Sequence, residues 1–164
     1  MSYIRIFGYG NLVNPRELRN TLPSKEAIGL TRLRGWQMVL AKPGLTHAYA
    51  TLVEKPDWEV MGVIIEITPP ELATLAQREA GYALVDVTER IVDKELIGDT
   101  QVYVFVSPTV HALHVRGSYL ENILVGLPDD ETRKEWLDMV DLEGRTIDYD
   151  RPELPFLKAL LPRP

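Results

Sequence analysis

The spacing of apolar and polar positions changes several times along the chain, and each change marks an element. Tyr3 to Phe7 is a short apolar run, as expected of a buried strand. Asn14-Pro15-Arg16-Glu17 then has the form of a helix start. Asn14 can cap, Pro15 suits the first helical position, and Glu17 is placed to close a capping box. This helix is short and ends near Leu22-Pro23. From Ala27 to Thr68 the runs "AIGLTRLRGWQMVLA", "AYATLVE" and "WEVMGVIIEIT" are rich in Val, Ile, Thr and aromatic residues. Broken by Pro43-Gly44 and Pro56-Asp57, they predict three successive strands.

A second helix is predicted in "TPPELATLAQREAGY". Thr68 caps, Pro69 takes the first helical position, Glu71 completes a capping box and Gly81 can stop the helix. "YALVDVTERIV" and "QVYVFVS" predict two more strands. Two helices follow, about 116–127 and 129–140. Leu120, Ile123, Leu124 and Leu127 form an ordinary buried stripe on the first. Asp129, Asp130 and Glu131 suit the positive end of the second. The order predicts an α+β fold, a small mixed β-barrel flanked by helices, rather than a doubly wound sheet. Residues 1–144 are expected to form the domain. The segment 145–164, with four prolines and no period, is expected to be a C-terminal tail packed on it or trailing from it.

The bulk properties narrow the function. The chain has 164 residues, 45% hydrophobic, with a net charge of −6. That balance, with no basic cluster beyond the scattered Arg32, Arg34 and Lys42, argues against a nucleic-acid surface. There are no cysteines, which removes disulfides, a thiol nucleophile and thiolate-held zinc. No signal-peptide pattern and no long apolar stretch is present, so no membrane partner and a cytoplasmic location are expected. His111-x-x-His114 lacks an acidic companion at ligand spacing, so no metal is expected there. Trp36, Trp58 and Trp136 are expected as core or edge residues. No motif sets an oligomeric state.

Two stretches carry candidate chemistry. Gly8-Tyr9-Gly10 begins like a dinucleotide fingerprint, but Val13 replaces the third glycine and no βαβ unit follows. What survives is a tight turn into a helix start, where successive N–H groups can hold an anion. A plain turn with nothing bound fits the same residues. In the second stretch, Leu72, Leu75, Ala76 and Glu79 share one helix face. Glu79 is thus expected on the inward side, at the negative end of the helix dipole. Both features disfavour its charged form and make it a better proton acceptor. Fraying into solvent, or pairing with a nearby Arg, would also suit it.

Together these stretches resemble the γ-glutamylcyclotransferase-like superfamily. "FGYGNL" is similar to its Tyr-Gly-Ser-Leu/Asn loop. "ATLVEKPDWEVMGVIIEITPPELATLAQREAGYALVDV" is similar to its middle, where a helix ends in a catalytic Glu, and "QREAGY" is nearest the ChaC-like branch. "SYLENILVGL" resembles its late helix. The resemblance implies a small-molecule γ-glutamyl substrate, cyclised to 5-oxoproline with release of an amine or amino acid. It implies Glu79 as acid/base, Tyr9, Gly10, Asn11 and Leu12 as the substrate loop, and Tyr119 as a pocket residue. It implies no cofactor, because the substrate's own α-amine is the nucleophile. Asn11 replaces the usual Ser or Thr, Ala76 a frequent Asp, and Arg116-Gly117-Ser118 an expected Pro-Ser. A non-catalytic module binding a γ-glutamyl or other anionic metabolite is the alternative.

Overall fold

The computed structural model describes residues 2–42, 49–79, 81–108, 114–142 and 145–161. Strand β1 (Ile4–Gly8) leads into a 3₁₀ turn (Gly10–Val13) and helix α1 (Pro15–Thr21). Asn14 caps α1, its side-chain oxygen accepting from the Arg16 N–H at 3.0 Å. The reciprocal half of that capping box does not form, because the Asn14 N–H is already given to the Asn11 carbonyl at 3.0 Å. Two long strands follow, β2 (Ala27–Lys42) and β3 (Tyr49–Ile67), where the sequence predicts three. Pro56-Asp57 does not end a strand. The chain bulges there, with Asp57 at φ 69°, and the register slips between Arg34/Glu59 and Trp36/Glu54. Pro43-Gly44 lies outside the described residues.

Helix α2 (Pro69–Arg78) begins with a complete capping box. The Glu71 carboxylate accepts from the Thr68 N–H at 2.8 Å and the Thr68 hydroxyl at 3.0 Å, and pairs with Lys25 at 3.1 Å. Burial alone would raise the Glu71 pKa. The Thr68 N–H, Lys25 and the Thr68 hydroxyl together hold it below its ordinary value. A depressed folded-state pKa gives stability that is present above the unfolded pKa and lost as pH falls through the folded one. Glu71→Ala is therefore expected to lower stability at neutral pH by about 0.5–2 kcal/mol. The gap from wild type should close on acidification, as urea unfolding at both pH values would show.

After α2 come β4 (Ala83–Asp86), two 3₁₀ turns and β5 (Val102–Val106). The sheet order is β2-β3-β1-β5-β4, with β1 antiparallel to β3 and parallel to β5. The α+β fold with a mixed sheet flanked by helices is as expected; the sheet of five strands is open rather than curled into a barrel. After Asp86 the chain turns into 3₁₀ geometry, so no strand ladder can form along the free edge of β2. Among the described residues that edge carries two isolated bridges, Leu33 to Ile91 and Val39 to Asp141, with bonds from the Val92 N–H to the Arg32 carbonyl at 3.0 Å and from the Asp141 N–H to the Met38 carbonyl at 3.2 Å.

Helices α3 (Gly117–Gly126) and α4 (Asp130–Met139) follow β6 (His114–Arg116). Asp129 caps α4 through the Thr132 N–H at 2.8 Å. The apolar stripe of α3 is buried against the sheet core, and Trp136 of α4 joins it. Residues 145–161 form β7 (Thr146–Asp148), parallel to β6, and α5 (Pro155–Leu160). The buried Glu121 carboxylate of α3 accepts from the Phe156 and Leu157 N–H groups at 3.0 and 2.7 Å, at the start of α5. Asp150 in turn accepts from the Ser118 N–H at 2.9 Å, at the start of α3. Gly117 allows this approach: a Cβ there would lie 2.9 Å from Leu154 and 3.1 Å from the Asp148 carbonyl. The Arg116-Gly117-Ser118 spelling thus matches the packing of the C-terminal segment.

Candidate active site

One cavity of about 210 Å³ lies between the turn after β1, the end of α2 and the first turns of α3. Tyr9, Asn11, Leu12, Glu79 and Tyr119 all line it, together with Tyr82 and Arg78. Gly10 lies against its wall, because a Cβ built on it would stand 2.9 Å from the Tyr119 hydroxyl. Gly10 also has φ 60°, where a side chain would be strained. The volume is below the roughly 300–1,000 Å³ typical of drug-sized ligands, and suits an amino-acid-sized group.

Each wall is placed by a local device. Gly10 starts the 3₁₀ turn, in which the Leu12 N–H bonds the Tyr9 carbonyl at 3.3 Å. The N–H groups of Gly10 and Asn11, at the front of the turn, have no partner that the turn itself can supply. Asn11 and Asn14 tie the turn to α3. Asn14 Nδ2 donates to the Asn122 carbonyl at 2.6 Å and to Asn122 Oδ1 at 3.1 Å, and Asn122 Nδ2 donates to Asn11 Oδ1 at 3.4 Å. Asn11 thus fastens the turn to α3 through its side chain and also lines the cavity.

Glu79 is the C-cap of α2, its N–H given to the Leu75 carbonyl at 2.9 Å. Leu75, wholly buried, pins that face of the helix. The Glu79 side chain is 13% exposed and pairs with Arg78 at 2.6 Å. Arg pairing therefore occurs, and it occurs at the cavity wall. Ala76 is exposed and is not part of the lining, so the Asp missing there is not missing from the cavity.

Four tyrosines line the cavity with Glu79, and three of them are fixed by backbone groups. Tyr9 donates to the Phe105 carbonyl at 2.6 Å and Tyr82 to the Ala50 carbonyl at 2.8 Å, while Tyr119 accepts from the Ala50 N–H at 3.2 Å. Burial, followed by neighbouring Tyr82, raises the Tyr9 pKa well above its ordinary value. Burial and then Glu79 raise that of Tyr82. Burial pushes Tyr119 up to about 12; Glu79 and Tyr49 add to this, and the Ala50 N–H and Arg78 oppose it. All three hydroxyls keep their protons at neutral pH.

Tyr82, Tyr49 and Arg78 line the cavity without a motif of their own in the sequence. Arg78 and Tyr82 lie inside the "QREAGY" stretch, so their signal was adjacency to Glu79. Tyr49 reaches the cavity through the β2–β3 pairing, which no local pattern encodes. Of the two histidines at metal-like spacing, His114 sits exposed in β6 and His111 lies outside the described residues. Among the described residues no group of three or more His, Asp or Glu could hold a metal ion. None of their helices is long and apolar enough to cross a membrane.

Residues 6–121 match the model of the gamma-glutamyl cyclotransferase, AIG2-like family, and the chain belongs to that family. Among solved structures, one described as gamma-glutamyl cyclotransferase is similar, with TM-score 0.71 and 18% identity over 91% of this chain and 95% of that one. An uncharacterized human protein gives TM-score 0.69 and 18% identity, over 92% and 96% of the two chains. YkqA from Bacillus subtilis gives 0.58 and 17%, over 86% of this chain and 56% of its own. At these identities the likeness is one of fold. No curated protein sequence matches.

Proposed function

We propose that the chain is a γ-glutamylcyclotransferase-type enzyme that converts a γ-glutamyl compound to 5-oxoproline and releases an amine or amino acid. The observation that carries this reading is a small cavity lined both by Glu79 and by Tyr9, Asn11 and Leu12 of the turn after β1. Family membership supports the same reaction class. The Gly10 and Asn11 N–H groups hold the substrate's α-carboxylate, which folds the glutamyl chain and brings its α-amine to its own γ-carbonyl. Such orientation supplies up to roughly 7–11 kcal/mol in favourable cases.

Glu79 takes a proton from the α-ammonium, and the freed nitrogen attacks the γ-carbon. A C–N bond forms and the carbonyl oxygen takes up the electron pair. When the oxyanion collapses, the bond to the leaving nitrogen breaks. Two protons move in the net reaction, from the attacking to the departing nitrogen. A single carboxylate alternating between base and acid can carry both. No enzyme nucleophile is needed.

The test is direct. The protein is incubated with glutathione, γ-glutamyl amino acids and γ-glutamyl amines, and 5-oxoproline is quantified. Release from at least one compound is expected. If none yields product and 5-oxoproline itself binds, the cavity serves as a binding module instead.

A further inference from the structure

Three of the four tyrosines that line the cavity, Tyr9, Tyr82 and Tyr119, differ in what they can still give. A backbone carbonyl can only accept and a backbone N–H can only donate, so their partners fix the direction of each bond. Tyr9 spends its proton on the Phe105 carbonyl, and Tyr82 spends its proton on the Ala50 carbonyl. Tyr119 receives a hydrogen from the Ala50 N–H. Its own proton is therefore directed away from that peptide. The hydroxyl also stands directly over Gly10, at 2.9 Å from where a Cβ would be, and so beside the turn.

We propose that Tyr119 is a catalytic residue: its O–H donates a hydrogen bond to the γ-carbonyl oxygen and strengthens that bond as the oxygen becomes an oxyanion. This rests on the cyclotransferase reading above. In 5-oxoproline the carboxylate-bearing carbon and the lactam carbonyl are both bonded to the ring nitrogen. An oxygen held by the turn amides and one held by Tyr119 thus lie on two sides of the same atom, as the forming ring requires. No proton leaves Tyr119 during the reaction. The hydroxyl stays protonated across the physiological range, so it remains a donor throughout. Its anchor is rigid, because Ala50 is clamped between the Tyr82 and Tyr119 hydroxyls and needs no reorganisation when charge develops.

The test is Tyr119→Phe, assayed on a γ-glutamyl compound that the wild type turns over. Removing a donor to an oxyanion costs about 10²–10³-fold in kcat. KM and the binding of 5-oxoproline should change only a few-fold, since the bond strengthens in the transition state. A kcat within a few-fold of wild type, or a loss confined to KM, would overturn the proposal and leave the cyclotransferase reading intact. A wild type inactive on every γ-glutamyl compound would overturn both. If Tyr119→Phe does not fold, 3-fluorotyrosine at this position keeps the bond from Ala50 and makes a stronger donor. A raised kcat would then support the assignment, and an unchanged or lowered one would overturn it.

Discussion

Glu79→Gln is expected to remove nearly all 5-oxoproline formation while leaving the fold in place. Gln has the shape of Glu and can still face Arg78, but it cannot carry a proton between two nitrogens. General acid/base help of this kind is worth about 10²–10⁴-fold, so kcat should fall by that factor. The residual rate, from holding the substrate folded, is not expected to vanish. The structural cost is small: the lost Arg78 pair is partly exposed on the Arg side, and such pairs contribute about 0–1 kcal/mol. At roughly 2–4 °C of Tm per kcal/mol for a chain of this size, the melting temperature should drop by no more than a few degrees. Turnover equal to wild type would refute the role given to Glu79.

Gly126→Ala is expected to be the most damaging single-atom change in α3. A Cβ at Gly126 would stand 2.5 Å from Asn14 Cα, 2.8 Å from its nitrogen and 2.9 Å from the Val13 carbonyl oxygen. All three are backbone atoms, so no side chain can swing aside. In a free helix the same change would gain about 1 kcal/mol of propensity, but here the clash decides the sign. Overpacking of this kind costs about 1–3 kcal/mol, a fall of roughly 2–12 °C in Tm. The effect should also reach the cavity, because α3 carries Tyr119 and the Asn122 that fastens the turn after β1. Thermal unfolding and a KM measurement on the same sample check both. An unchanged Tm would show that α3 and the turn do not touch as described.

What could be read in advance depended on how local the determinants are. α1 and α2 were legible because their caps lie within a few residues of their first turns, and α3 because its stripe repeats along its own length. The continued pairing of β2 with β3 past Pro56-Asp57, with a register shift at the bulge, was not legible. A bulge is stabilised by the partner strand and leaves only a turn-like signature in sequence. That the sheet stays open has a similar cause, since the segment after Asp86 is strand-like in composition but coils into 3₁₀ turns. β7 and α5 are three and six residues long, too short for a period. They are held by Glu121 and by pairing with β6, which lie far off in sequence. At the cavity, Glu79 and the turn carry sequence signatures, whereas Tyr49, Ala50 and Phe105 meet them only through the sheet.

The place of β1 has a consequence for how activity is acquired during folding. β1 lies between β3 and β5, and Arg5 pairs with Val102. Chain entering the sheet early must wait for a partner made much later, and such non-local closure is slow. The cavity draws on the residues just after β1 and on α3, which follows β5. Catalytic competence should therefore appear in the last kinetic phase of refolding, after the helical signal and after the β2–β3 hairpin. Regain of turnover would then time the completion of the sheet.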